Sequence, residues 1–147
     1  MGTGAIAVSH AEALAQIAEA RVAVVCDRDR SKAEAFARRF GIAAACASLD
    51  ELLARERPDA AHVLVPPHLH AEVAAPLLEA GVHVLLEKPM VLTTEDGRRL
   101  LESARRGGAR LGVNHNFTFV PLFRRLLEDV DAGRIGRVQH VVSFQNN

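Results

Sequence analysis

Apolar residues along this chain fall alternately into short β-branched runs and longer stretches with helical spacing. That alternation lays helices over a mostly parallel sheet. Val22–Cys26, His62–Val65, Val82–Leu86 and Arg110–Val113 read as strands, with a weaker one at Ala43–Cys46. Residues 5–19 and 30–40 are rich in alanine and other helix formers, and Gly41 follows Phe40 where a left-handed cap belongs. Leu69, Val73 and Leu77 recur every fourth residue ahead of Gly81, so 69–80 reads as a helix that Pro76 should kink. Thr93 with Asp96, or Thr94 with its acidic first turn, caps a helix that ends at Gly107-Gly108.

Further on, Phe119, Leu122, Phe123, Leu126, Leu127 and Val130 form one apolar stripe on a helix ending before Gly133, which is either core or interface. Residues 138–144 then read as a strand with nothing after it to pair with, which points to a second domain that is cut off.

Composition narrows the picture. With 49% apolar and only 24% charged residues the chain can fill a core, which excludes disorder. The 18 basic and 18 acidic residues cancel, so no global field holds a polyanion, and neither nucleic acid nor a membrane surface is expected as a partner. No apolar run approaches the roughly 20 residues that cross a bilayer, and the expected location is the cytoplasm. Cys26 and Cys46 are too few and too isolated for a disulfide framework or a zinc site, and no metal is assigned.

The chemistry starts at Gly2-Thr3-Gly4-Ala5-Ile6-Ala7, which fits the G-x-G-x-x-A turn that brings a backbone against a pyrophosphate at a helix N-terminus. Taken alone it is also an ordinary glycine turn. Asp27, twenty residues past Ala7 and directly after a strand-like run, can accept hydrogen bonds from an adenosine ribose. Its charge favours NAD over NADP, although Arg28 or Arg30 could grip a 2′-phosphate instead, so NADP stays open. The expected fold is therefore a Rossmann-type α/β domain with helices on both faces of the sheet. One element of that fold is missing, because only Met1 stands where a strand should precede Gly2. Burying such a strand is worth on the order of 10 kcal/mol, comparable to a whole domain's stability, so the chain alone is expected to be marginal.

With the glycine turn, Asp27, Pro66-Pro67-His68-Leu69-His70 and Glu87-Lys88-Pro89 in view, the chain resembles the glucose-fructose oxidoreductase and inositol dehydrogenase family. The most specific stretch is Ala80-Gly81-Val82-His83-Val84-Leu85-Leu86-Glu87-Lys88-Pro89, similar to that family's a-G-k-H-V-l-x-E-K-P signature. The resemblance implies an NAD(P)-binding domain over 1–118, a connecting helix over 119–136, and in 137–147 the first strand of a truncated α/β domain for substrate and subunit contacts. It implies an oxidoreductase moving a hydride to or from a sugar or polyol, and a homo-oligomer when full length. Lys88 would be the acid/base beside the nicotinamide, Glu87 would touch the cofactor, and Pro67 and His70 would line its channel.

Chemistry favours the lysine independently. Oxidising an alcohol carbon needs a base for the hydroxyl proton, and only Lys32 and Lys88 break a pattern in which arginine is the default cation. A lysine serves as base once desolvation or a neighbouring cation lowers its pKa. A solvated pair before a turn-forming proline is the plainer account of Glu87-Lys88-Pro89. Asn114-His115-Asn116 follows a strand at the ligand-binding edge, which adds Asn114 as a cofactor contact and His115 as a substrate contact. With Gly2, Gly4, Ile6, Asp27 and Arg28 these complete the candidate site, while His10, His62, His83 and His140 receive no role. A non-catalytic nucleotide-binding regulator, or an inactive fragment of such an enzyme, stands as the alternative.

Overall fold

A computed structural model of the chain describes residues 1–55 and 57–144. It forms two compact units, Met1–Asn114 and His115–Asn147. In the first, α1 (Ala5–Leu14), β1 (Val24–Cys26), α2 (Arg30–Phe40), β2 (Ala44–Cys46) and α3 (Leu49–Arg55) precede β3 (Ala60–Val63). After β3 come a 3₁₀ turn (Pro67–Leu69), α4 (His70–Glu79), β4 (His83–Leu86), α5 (Thr94–Gly107) and β5 (Leu111–Val113). All strand pairs are parallel, in two sheets of order β1-β2 and β3-β4-β5.

The α/β alternation is the expected one, and its details follow local chemistry. Asp29 caps α2 by accepting from the Ser31 and Lys32 N–H groups, and Gly41 closes it at φ 64°. Thr93 caps α5 through the Asp96 N–H while its hydroxyl donates to the Asp96 carboxylate at 2.7 Å. α1 is shorter than its alanine content predicts. Past Leu14 its bonds tighten to three-residue turns, Gln16 to Ala13 and Ile17 to Leu14, and Ile17 is left exposed with nothing to hold another turn. α3 is unforeseen, although Ser48 and Glu51 stand three apart as a cap pair, and the Glu51 N–H does donate to Ser48 Oγ. α4 continues through Pro76. Its Ala74, Leu77 and Leu78 are fully buried with Val63, Leu86 and Leu100 in the core. Cys26 and Cys46 are buried partners across β1 and β2, and burial, then the neighbouring Cys46, pushes the Cys26 thiol up to about 12.

Among the described residues, Met1 and Gly2 join the two sheets between β1 and β3. The Met1 amino group donates to His62 O, Leu64 N–H to Met1 O, and Gly2 N–H to Cys26 O, each at 2.8 Å. In a parallel ladder successive residues alternate direction, so Val24, like Cys26, and Ala60, like His62, turn their backbone groups toward this gap. Behind the bridge lies a cavity of about 460 Å³ whose lining includes Ala7, Ala11 and Leu14 of α1 and Leu52 of α3.

The second unit contains a 3₁₀ turn (Asn116–Phe119) and α6 (Pro121–Asp131). Its apolar stripe is not core: α6 buries no residue, and Leu122 is 79% exposed. Residues 138–144 form no strand, contrary to the sequence reading, because no described residue offers them a ladder; 145–147 of the expected strand lie outside the described residues. Among the described residues no helix is long and apolar enough to cross a membrane.

The gap generates a stability prediction. Adding an apolar strand of about five residues directly before Met1 should fill the ladder and raise the Tm markedly, read by circular dichroism. An unchanged transition would show that the gap costs nothing.

Candidate functional site

The carboxyl ends of β1, β3, β4 and β5 carry the candidate residues, and this is the edge at which open parallel sheets bind ligands. Gly2 sits at φ 87°, where a side chain would be strained and a Cβ would stand 3.0 Å from Leu64 O. A Cβ at Gly4, by contrast, meets nothing within 4 Å. Gly4 begins α1 without any side-chain cap, so no side chain satisfies the first-turn N–H groups, and Ala5 and Ile6 are exposed. These features fit a diphosphate laid against the turn.

Asp27 is fastened to that turn. Its Oδ2 accepts from Thr3 N–H at 2.9 Å and from the Thr3 hydroxyl at 2.7 Å, and Oδ1 accepts from Asp29 N–H at 3.0 Å. Partial burial pushes the Asp27 carboxyl up, but the bonds from Asp29 and Thr3 outweigh it and hold it below its ordinary value. A carboxylate has about four lone-pair sites, so one on Oδ1 remains for a ligand hydroxyl. Arg30 is taken by Glu51 at 2.7 Å, whereas Arg28 is exposed with no ion pair among the described residues.

On the other side of the Met1 bridge, Glu87 follows β4 and Asn114 follows β5. Asn114 Nδ2 donates to Glu87 Oε1 at 2.6 Å, His10 Nε2 of α1 lies 3.0 Å from the same oxygen, and Lys88 N–H reaches Oε2 at 3.3 Å. Burial pushes this carboxyl up as well, and the bonds from Asn114, His10 and Lys88 bring it below its ordinary value. Lys88 itself is exposed, with no ion pair among the described residues. Pro67 is part-exposed and opens the 3₁₀ turn after β3.

Two of the expected residues sit elsewhere. His70 is fully buried, with Nδ1 3.0 Å from Pro89 O and from Met90 O and Nε2 2.9 Å from Val65 O. Three backbone carbonyls occupy both ring nitrogens, so it is a strut between the end of β3 and the turn after Lys88. His115 opens the second unit, where its carbonyl accepts from the Thr118 hydroxyl at 2.7 Å.

Conversely, His10 and His62, given no role from the sequence, are in the site's polar network, with their Nδ1 atoms 2.9 Å apart. The available signal for His10 was helical spacing, since α1 starts in the glycine turn and carries His10 toward β4.

A family model described as an oxidoreductase family with an NAD-binding Rossmann fold, Gfo/Idh/MocA, matches residues 1–115. An uncharacterized oxidoreductase of Rhizobium meliloti is 36% identical over 96% of this chain and 42% of its own length. The 1,5-anhydro-D-fructose reductase of Ensifer adhaerens is 37% identical over 70% of this chain and 31% of its own. The chain thus spans less than half the length of these relatives. Among solved structures, the WlbA dehydrogenase of Bordetella pertussis, in complex with NADH and UDP-GlcNAcA, superposes with a TM-score of 0.87 at 31% identity. That superposition covers 92% of this chain and 39% of WlbA.

Glu87 yields a pH test. Its native pKa is depressed, so its carboxylate contributes stability above the ordinary carboxylate value and loses it as pH falls through the lowered one. Asn114→Ala should cost about 1–2 kcal/mol near pH 7. That cost should shrink as pH falls through the lowered value, where Glu87 becomes protonated with or without the amide. A cost independent of pH in denaturant titrations would contradict this.

Proposed function

We propose, for a chain that belongs to the oxidoreductase family with the NAD-binding Rossmann fold, that it forms the cofactor-binding part of an NAD-dependent dehydrogenase or reductase. The substrate class is a sugar, polyol or related hydroxyl compound. The observation that carries this reading is the fastening of Asp27 to the glycine turn at one end of a sheet edge that bears Glu87 and Lys88 at the other. The relatives point the same way, since their names include 1,5-anhydro-D-fructose reductase and D-glucoside 3-dehydrogenase.

The turn at Gly2 and Gly4 would hold the diphosphate, with Ile6 in the first helical turn beside it, and Asp27 would accept from the adenosine ribose. A 2′-phosphate would set its charge against Asp27, which supports NAD; Arg28 is the residue through which NADP could still enter. Glu87 and Asn114 would orient the other end of the cofactor, with Pro67 beside them. When bound, the nicotinamide supplies a carbon that accepts or returns a hydride. Lys88 would take the hydroxyl proton as the carbonyl forms and return it in reduction. Its ammonium stands free of ion pairs among the described residues, so it is available to a substrate hydroxyl.

In the whole protein a further domain would supply substrate contacts, and His115 is a candidate there. The uncovered stripe of α6 supports an apolar surface that the assembled homo-oligomer would cover. The reading is of a cytoplasmic protein with no nucleic-acid partner, and a net charge of zero supports the latter.

NADH titrated into the chain should give saturable enhancement of cofactor fluorescence, and the sequence has no Trp to obscure it. Asp27→Ala should weaken binding about tenfold to a hundredfold, the worth of hydrogen bonds to a charged group. Equal affinity would remove Asp27 from the site. In a protein joining this chain to a relative's substrate domain, Lys88→Ala should keep NAD affinity and lose turnover by several orders of magnitude. Retained turnover would take the proton transfer away from Lys88.

A further inference from the structure

His10 stands between two groups whose chemistry fixes its protons. On one side, 3.0 Å from Nε2, is the Glu87 carboxylate, an acceptor only; on the other, 2.9 Å from Nδ1, is Nδ1 of His62. The rings meet edge to face, with centroids 5.0 Å apart and planes at 82°. Both His10 and Glu87 are largely shielded, at 11% and 13% side-chain exposure.

We propose that His62 and His10 form a tautomer-locked pair of positioning residues that aims Glu87 for the cofactor. The bookkeeping runs one way. Glu87 cannot donate, so His10 Nε2 carries the hydrogen; a neutral imidazole has one, so His10 Nδ1 is bare and accepts. The donor to it is then His62 Nδ1, and His62 is held as the Nδ1–H tautomer, its Nε2 left unprotonated. Burial above all lowers the His62 pKa, which keeps that ring neutral, and with both rings neutral the order of donors is fixed.

The consequence falls on Glu87. His10 and Asn114 both bind Oε1, whereas Oε2 has, among the described residues, only the 3.3 Å bond from Lys88 N–H. The ring pair thereby reserves Oε2 for a ligand donor such as a ribose hydroxyl or a carboxamide. It also ties α1, whose first turn forms the diphosphate cradle, to the residue beside Lys88. One helix therefore sets the distance between the two ends of the site.

This inference rests on the cofactor reading of Glu87, so its test uses two readouts. Long-range ¹H–¹⁵N correlation of the histidine rings in the unsubstituted chain at pH 8 should show His62 protonated at Nδ1 and His10 at Nε2. His62→Leu should leave His10 without a donor and weaken NAD binding about fivefold to tenfold, the worth of one hydrogen bond. His62→Asn, whose amide N–H stands where Nδ1 stood, should restore both the donor to His10 Nδ1 and the affinity. A His62 ring protonated at Nε2 overturns the relay whatever NAD does. Expected tautomers with the same NAD affinity in His62→Leu overturn the positioning role. A failure of the unsubstituted chain to bind NAD, with the tautomers as expected, falls on the cofactor reading of Glu87 instead.

Discussion

The structure depends on three backbone hydrogen bonds made by two residues. Met1 pairs with His62 and Leu64 of one sheet, and Gly2 pairs with Cys26 of the other. Without that bridge the β1-β2 sheet and the β3-β4-β5 sheet share no ladder. The constraint reaches the site because the bridge leads directly into the glycine turn. Gly2 adopts a left-handed conformation with no room for a Cβ against Leu64. The chain then turns past Thr3, which is pinned to Asp27, and enters α1. Asp27 on the first sheet and Glu87 on the second are thus placed relative to each other through a short stretch of backbone and one helix.

α1 completes this arrangement. Its start presents N–H groups that no side chain caps, and His10, further along it, contacts Glu87. A shift of the helix would disturb both ends of the site together. Both carboxylates are held ionised in the same way. Each is partly buried, which favours the neutral acid, and each accepts three hydrogen bonds that more than offset it. A ligand with hydroxyl donors therefore meets two acceptors already charged and oriented.

Much of this was legible in order along the chain. The parallel alternation, the caps of α2 and α5 and the run from Gly81 to Pro89 depend on local residue choice, and local choice is what a sequence displays. The misses have a common cause. His70 lies in a motif that looks like a ligand contact, yet the carbonyls of Pro89 and Met90, far along the chain, and of nearby Val65 claim its nitrogens. His10 and His62 are 52 positions apart and meet only when α1 lies over β3, so no spacing rule joins them. The strand read at 138–144 failed for the converse reason: its alternation is genuine, but pairing belongs to a neighbour. The stripe on α6 was visible as apolar, while the choice between core and interface required knowing what lies against it.

The central claim is that a dinucleotide lies along the edge from the glycine turn to Glu87. Amide chemical-shift mapping by NMR, with NAD added to the ¹⁵N-labelled chain, tests it most directly. The account expects shifts at Thr3, Gly4, Ala5 and Ile6, at Asp27, and at Glu87 and Lys88, with α6 unaffected. Shifts absent from the glycine turn, or confined to residues away from this edge, would contradict it.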